Sequence, residues 1–335
     1  MDGGRVNKST IIDNVSSAAE AWRRLKEVYD FDYAMAHIMA PAPVNTGVPK
    51  LDHTLGGGIP AGTYTAIAGE GGSGKSALAC VIAYEAALSG LFPVFFSMEM
   101  PAEMVIGRLL SIHTSRIREL QAARGVPESE WMRQTWWSTS HNLVRKIAGH
   151  RIATEEEAEL YRAEHPDDPV LVAWEDFRET IWPYVLVVAN IYSIQDACEL
   201  VRGLYARGIR TLPIVDYLQL GADGDDAEAS VREYERISKA SVELARLAKD
   251  CQIPLVAVSS LRKMGREERK EAPTLQMLHG SGRIGFDCGT AIIIKRDAER
   301  DGAEQPIEAH VVKNRVGPSG TSCKLMFNGG LNMFR

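Results

Sequence analysis

The chain has 335 residues, 45% of them hydrophobic and 24% charged, enough to bury one sizeable core with room for an added subdomain. A formal net charge of −6 excludes a chain-wide basic footprint, so any nucleic-acid contact has to come from local basic loops. Cys80, Cys198, Cys251, Cys288 and Cys323 lack the CxxC spacing of a zinc site or redox pair, and neither a secretory signal nor a membrane-length apolar run occurs. A soluble, cytoplasmic protein with reduced thiols and no membrane partner is expected.

In chain order, residues 10–39 place Ile12, Val15, Ala19, Trp22, Leu25, Val28 and Tyr29 at helical spacing, and the Pro-containing segment MAPAPVNTG follows. This predicts an N-terminal helical arm (1–44) joined to a core domain (45–335). An amphipathic helix outside the core must bury its apolar face, either on a partner subunit or on its own core.

The run TYTAIA (63–68) predicts a strand feeding Gly69-Glu70-Gly71-Gly72-Ser73-Gly74-Lys75-Ser76, which fits the pattern GxxxxGK[ST]. Glycines let the backbone close around phosphates, so that successive N–H groups and the N-terminus of the next helix, from Ser76 and Ala77 to Leu88, point at negative charge. Lys75 then reaches the β- and γ-phosphates, and the Ser76 hydroxyl is offered to Mg²⁺. A nucleoside triphosphate is therefore expected on Gly69, Gly71, Gly72, Ser73, Gly74, Lys75, Ser76 and Ala77. The next predicted strand, PVFFSM, ends just before Glu99, where a carboxylate can orient and deprotonate water.

Residues 127–182 break the rhythm and hold five of the six tryptophans: Trp131, Trp136, Trp137, Trp174 and Trp182. They predict a helical insertion whose aromatics serve either as core and contact residues or as stacking platforms for single-stranded bases. Beyond it, YVLVVA, TLPIVDY, PLVAVSS and AIIIKR read as further strands. Asp216 ends one of them, the position of a second Mg²⁺ anchor at a strand's carboxyl end. AHVVKN and KLMFN, separated by RVGPSGTSC, predict two late strands joined by a turn. The alternation predicts an α/β fold: a mostly parallel central sheet flanked by helices, with late antiparallel strands at its edge.

TGVPKLDHTLGGGIPAG, GEGGSGKS, FFSMEMPAE, VDYLQL, SGRIGFD and KNRVGPSG occur here in that order. Over roughly residues 45–335, outside the Trp-rich insertion, the chain resembles the C-terminal motor domain of DnaB-type replicative hexameric helicases, a branch of the RecA-like P-loop NTPases. The opening motif is shared with RadA-like and KaiC-like relatives, whereas SMEMP, DYLQL and NRxGPxG are specific. The resemblance implies ATP with Mg²⁺, Lys75 and Ser76 as phosphate and metal ligands, Glu99 as the catalytic carboxylate and Asp216 as the Walker B acid. It also implies that Lys313 and Arg315 reach across a subunit interface to a neighbour's γ-phosphate, where an arginine is typically worth about 10³–10⁵ in rate.

Three departures stand out. The family's motif near the DNA channel has Gln where this chain has Ser260, and the shorter hydroxyl weakens the expected link from nucleotide to DNA loop. The DNA-contacting loop reads Leu278-His279-Gly280-Ser281-Gly282-Arg283, so phosphate contact is expected from the backbone of Gly280, Ser281 and Gly282 and from Arg283. The family's primase-recruiting N-terminal domain has no counterpart, and the arm resembles in position the helix that docks on a neighbouring motor. Arg262 and Lys263, in the basic run 262–270, fall where the family places channel-facing loops and are expected to contact the DNA backbone. The resemblance as a whole implies an ATP-dependent helicase translocating on single-stranded DNA as a hexameric ring, with a helicase loader or other replication proteins as partners. Two other readings stand beside it: an ATP-gated loading or assembly factor, and a RadA-like recombination ATPase.

Overall fold

The computed structural model describes residues 42–122, 169–189, 193–216, 227–262, 271–279, 281–296 and 304–335, with isolated positions at 160, 163, 164, 218, 264, 265, 267 and 268. The helical arm 10–39, Trp131, Trp136, Trp137, Lys263 and Gly280 lie outside the described residues.

The described elements are α1 (Pro49–Leu55), β1 (Tyr64–Gly69), α2 (Lys75–Leu88), β2 (Phe92–Ser97), α3 (Ala102–Ala122), α4 (Pro169–Thr180), β3 (Leu186–Ala189), α5 (Ile194–Ala206), β4 (Thr211–Asp216), α6 (Ala227–Cys251), β5 (Leu255–Ser260), α7 (Ser281–Asp287), β6 (Thr290–Arg296), β7 (Glu304–Asn314), β8 (Thr321–Asn328) and β9 (Met333–Phe334). The strands form one sheet in the order β3-β2-β4-β5-β1-β6-β7-β8-β9. β3 through β6 run parallel, whereas β7, β8 and β9 continue the sheet antiparallel. The expected parallel core with a late antiparallel edge is what the strands build.

Parallel strands covered on both faces need apolar side chains at odd and even positions alike, and these sequences supply them. Ile67, Phe95, Ile214, Val256, Val258 and Ile292 pack with α2, α3 and Phe177 of α4 in one cluster. Tyr64, Ala66, Val94, Phe96, Val215 and Ala257 turn to the other face, against α5, α6 and α7. Each large aliphatic or aromatic side chain taken from water this way contributes about 1.5–3 kcal/mol. α2 is lined by small buried residues, Ala77, Ala79, Cys80, Ala83, Ala86 and Ala87, so it lies close against the sheet. That closeness fixes the point at which β1 hands over to the helix.

Of the insertion's tryptophans, Trp174 is half-buried in core packing, its ring stacked on Phe177 at 6.4 Å between centroids, while Trp182 is exposed. His113 of α3 anchors the same helix, with Nδ1 2.9 Å from the Tyr84 hydroxyl and Nε2 2.9 Å from the Asp176 carboxylate. Trp174 thus takes the core alternative.

The opening motif and the late KNRVGPSG turn, some 260 residues apart, meet in space. Asn314 Nδ2 donates to the carbonyl of Leu55 at 2.9 Å, and the Val316 N–H donates to Asn314 Oδ1 at 3.2 Å. One asparagine therefore ties the end of α1 to the turn that carries Arg315.

Candidate active site

All parallel strands deliver their carboxyl ends to one edge of the sheet, and the register says which residues stand level there. Gly69 pairs with Ser260 and with Ile294, and Ser97 pairs with Asp216. At such an edge, where α/β sheets bind ligands, a cleft of about 500 Å³ is lined by Gly69, Glu70, Gly71, Lys75, Glu99 and Ser260 among others.

The loop 69–76 is shaped by its glycines. A Cβ at Gly69 would stand 2.4 Å from Ser73 Oγ and 2.7 Å from the Ile294 carbonyl, so the strand end and the loop can close only on glycine. Gly74 is the N-cap of α2 in the left-handed region (φ 94°), and a Cβ there would lie 3.3 Å from both Phe327 and Phe334. Those two rings stack at 4.7 Å and brace the loop from β8 and β9. No side chain caps the N-terminus of α2 and its first turn holds no acidic residue, which leaves the N–H groups and the positive end of the helix for an anion.

Lys75 Nζ donates to the carbonyl of Glu70 at 2.8 Å, so the ammonium arches over its own loop. Burial lowers its pKa, an effect opposed by the Asp216, Glu99 and Glu70 carboxylates. Asp216 is 1% exposed, and neither carboxylate oxygen completes a hydrogen bond. Burial first, and the Glu99 charge to a lesser extent, push its pKa up to about 6, while the nearby Ser76 hydroxyl, Arg108 and Lys75 pull it down. A buried carboxylate without a hydrogen-bond partner is costly unless it receives a cation. Ser73 Oγ is likewise buried without a partner. Among the described residues no group of three or more His, Cys, Asp or Glu side chains could hold a metal by itself. The donor set of Ser76 and Asp216 beside a phosphate loop fits Mg²⁺, which takes one or two protein ligands and completes its shell with phosphate and water.

Arg108, on α3, was not legible as a site residue in the sequence. Its Nη1 reaches Asn332 Oδ1 at 3.5 Å, and its charge stands close enough to Asp216 to lower that pKa. No spacing or motif marks it; only the packing of α3 beneath the cleft brings it there.

The wall of the cleft is joined directly to the start of the predicted DNA loop and the residues just before it. Leu261 bridges Leu278, the His279 N–H donates to the Ser260 carbonyl at 3.0 Å, and the Arg262 N–H donates to the Met277 carbonyl at 2.9 Å. Arg262 Nε adds a bond to the Gln276 carbonyl at 2.9 Å, while its terminal nitrogens grip Glu268. Arg262 thus braces the strand end through contacts within the chain, while its side chain stays 40% exposed. Arg283 on α7 donates Nε to Asp287 Oδ2 at 2.8 Å and lies over the Phe286 ring.

Lys313 and Arg315 stand elsewhere. The Arg315 N–H donates to the Gly289 carbonyl, and the Gly289 N–H donates to the Tyr64 carbonyl. Arg315 is therefore level with the first residue of β1, whereas the phosphate loop leaves the last, five residues or about 17 Å along the strand. Within one chain the structure does not bring these cations to Lys75.

Residues 183–335 match the family model for the DnaB-like helicase C terminal domain. This part of the chain is similar to that helicase domain. Ahead of that match, residues 44–120, with the phosphate loop, match the KaiC model. Among similar proteins, the replicative DNA helicase DnaB of Leifsonia xyli subsp. xyli is 28% identical over 295 residues, covering 87% of this chain and 55% of the relative. The DnaB of Treponema pallidum is 27% identical over 293 residues with the same coverage. The chain thus spans about half the length of these relatives. Two solved structures share the DnaB-like fold at a TM-score of 0.62. One, solved as an ATPase domain, is 19% identical, with 96% of this chain and 99% of that one covered. The other, a DnaB-like replicative helicase solved for its interactions with primase, is 21% identical, with 96% and 73% covered. Among the described residues no helix is long and apolar enough to cross a membrane.

Proposed function

We propose that this chain is the motor of a ring-shaped, hexameric DNA helicase that hydrolyses ATP at subunit interfaces and translocates on single-stranded DNA during replication in the cytoplasm. Its ATPase domain spans residues 45–335, preceded by an arm over 1–44. The observation that carries the reading is the distance between the phosphate loop and Arg315 within one chain. The phosphate loop and Asp216 occupy one end of the sheet, and Arg315 occupies the other. A head-to-tail interface joins such halves, and interfaces of that kind close into rings or run on as filaments.

Within the cleft, the N–H groups from Gly71 to Ala77 and the end of α2 hold the β- and γ-phosphates. Lys75 moves from the Glu70 carbonyl to the phosphate oxygens, a short displacement of a flexible ammonium. Ser76 and Asp216 would hold Mg²⁺, which would supply charge neutralisation for the phosphates. Glu99, exposed at the cleft mouth, orients a water in line with the γ-phosphate and takes its proton. The neighbour's Arg315 stabilises charge on the equatorial oxygens, which makes turnover depend on assembly.

Single-stranded DNA is held by its backbone at Gly280, Ser281, Gly282 and Arg283, which positions the strand without reading its sequence. The backbone pairing of 260–262 with 276–279 supports a route from nucleotide to DNA loop that does not need a long side chain at Ser260. A loading factor that lacks unwinding draws less support for that reason. The relative solved for its interactions with primase makes primase, alongside a loader, a candidate partner.

The test is ATP turnover with and without single-stranded DNA, with assembly mass measured by light scattering. A ring-sized assembly stimulated several-fold by DNA, with turnover lost in Glu99→Gln, is the expected result. Turnover by a monomer, or turnover indifferent to DNA, overturns the reading.

A further inference from the structure

The cleft beside the phosphate loop carries little positive charge for a ligand as anionic as a triphosphate. Among the described residues that line it, Lys75 and Arg262 are the cations, and Glu70 and Glu99 are the acids. Lys75 belongs to the loop, whereas Arg262 comes from the wall, two residues beyond the end of β5. A guanidinium has five N–H donors, and three of those on Arg262 are engaged within the chain. Nε donates to the Gln276 carbonyl at 2.9 Å, while Nη1 and Nη2 meet the two carboxylate oxygens of Glu268 as a fork. Two N–H groups remain beyond those bonds.

The same fork that a guanidinium offers a carboxylate fits a phosphate. The pair is open to solvent, its side chains 40% and 31% exposed, and ion pairs in that setting add little to stability. Glu268 therefore holds the guanidinium in a geometry suited to a phosphate, but weakly enough to give it up. We propose that Arg262 binds the terminal phosphate of the nucleotide in exchange for Glu268, which is the built-in competitor for that guanidinium. A terminal phosphate brings about two negative charges at neutral pH against one on Glu268, so the exchange runs towards the nucleotide. The Nε bond to Gln276 keeps the side chain at the wall while its terminal nitrogens change partner. A diphosphate presents no terminal phosphate at that place and leaves Glu268 paired. The exchange thus makes Arg262 a reader of triphosphate against diphosphate from within the same chain. It also releases the segment around Glu268, whose carbonyl accepts the Glu271 N–H at 3.2 Å, from the cleft wall.

This inference rests on the reading of the cleft as a nucleoside-triphosphate site. Binding of ADP and of a non-hydrolysable ATP analogue, both with Mg²⁺ and without DNA, is measured by calorimetry on the full chain. Wild type is compared with Lys75→Ala, Arg262→Ala and Glu268→Gln. Arg262→Ala should bind the analogue about tenfold more weakly while its affinity for ADP stays within about twofold of wild type. Glu268→Gln removes the competitor and keeps the cation, so it should bind the analogue at least threefold more tightly with ADP unchanged. Misfolding cannot produce that gain. If Arg262→Ala weakens ADP and the analogue equally, the residue only holds the wall together and the proposal falls. It falls also if Glu268→Gln binds the analogue no more tightly than wild type. Parental affinity for the analogue in Arg262→Ala likewise overturns it, and a tenfold loss of oligothymidylate binding without nucleotide in that variant would assign the guanidinium to a DNA phosphate instead. Lys75→Ala that binds both nucleotides as wild type does would remove the phosphate-loop reading, while the ratio of analogue to ADP affinity in Arg262→Ala still decides the exchange.

Discussion

Replacing Asp216 by asparagine should stabilise the nucleotide-free fold while abolishing its response to Mg²⁺ and ATP. The Asp216 carboxyl is buried without a hydrogen-bond partner, and its pKa rises from 3.8 to about 6. A shift of that size is worth about 3 kcal/mol at about 1.4 kcal/mol per unit. Because the folded pKa lies above the unfolded one, the contribution favours folding below about pH 4 and is lost as the pH rises through about 6. At pH 7.5 the ionised wild type therefore carries the full penalty, and an uncharged amide of the same shape escapes it. For a domain of this size the gain corresponds to roughly 5 °C in melting temperature. Thermal melts of wild type and Asp216→Asn from pH 7.5 to 4.5, without nucleotide, should show a difference that is largest at pH 7.5 and closes towards pH 4.5. With Mg²⁺ and ATP only the wild type should gain further stability. A variant no more stable than wild type at pH 7.5, or a difference independent of pH, refutes the claim that the site stores an uncompensated charge for a cation.

Gly74→Ala forces a side chain onto a left-handed residue and against Phe327 and Phe334. It should cost about 1–3 kcal/mol and weaken nucleotide binding at least tenfold in calorimetry, and wild-type affinity would contradict the bracing role of those rings. Asn314→Ala strips the Leu55 carbonyl and the Val316 N–H of their partner. A loss of about 1–3 kcal/mol in denaturant melts is expected, with assembly-dependent turnover falling because Arg315 sits on the same turn. Equal stability with parental turnover would show that the turn holds itself. Ser260→Gln should leave stimulation by single-stranded DNA within about twofold of wild type, since the His279 and Arg262 backbone bonds already join cleft to loop. A large gain in stimulation would mean that the side chain is the limiting link.

Local chemistry was legible in the sequence because it is written locally. The phosphate loop, the strand-end Asp216 and Glu99, and the alternation of short apolar runs with helical ones each depend on spacing within about ten residues, and the parallel strands formed within one or two residues of those runs, while β7 and β8 begin five and three residues earlier than theirs. What escaped depends on contacts between distant segments. Nothing in TLGGG announces that Leu55 will meet Asn314. No pattern tells that Phe327 and Phe334 close over Gly74, or that Arg108 lies beneath Asp216. The weak point expected at Ser260 rested on side-chain length, and no local pattern reveals the backbone hydrogen bonds that join 260–262 to 277–279. Lys313 is paired with Arg315 by resemblance, and only the fold shows that its ammonium also meets the carbonyls of Gly285, Phe286 and Cys288.

The central claim, an active site divided between two copies of the chain, is tested most directly by mixing two inactive variants. Lys75→Ala lacks the phosphate ligand but keeps Arg315, and Arg315→Ala lacks the cation but keeps the phosphate loop. If interfaces form at random from an equal mixture, about a quarter pair an intact loop with an intact arginine, so turnover should return to about a quarter of the wild-type rate. A mixture as inactive as either variant alone, or an Arg315→Ala protein that turns over ATP unaided, would contradict it.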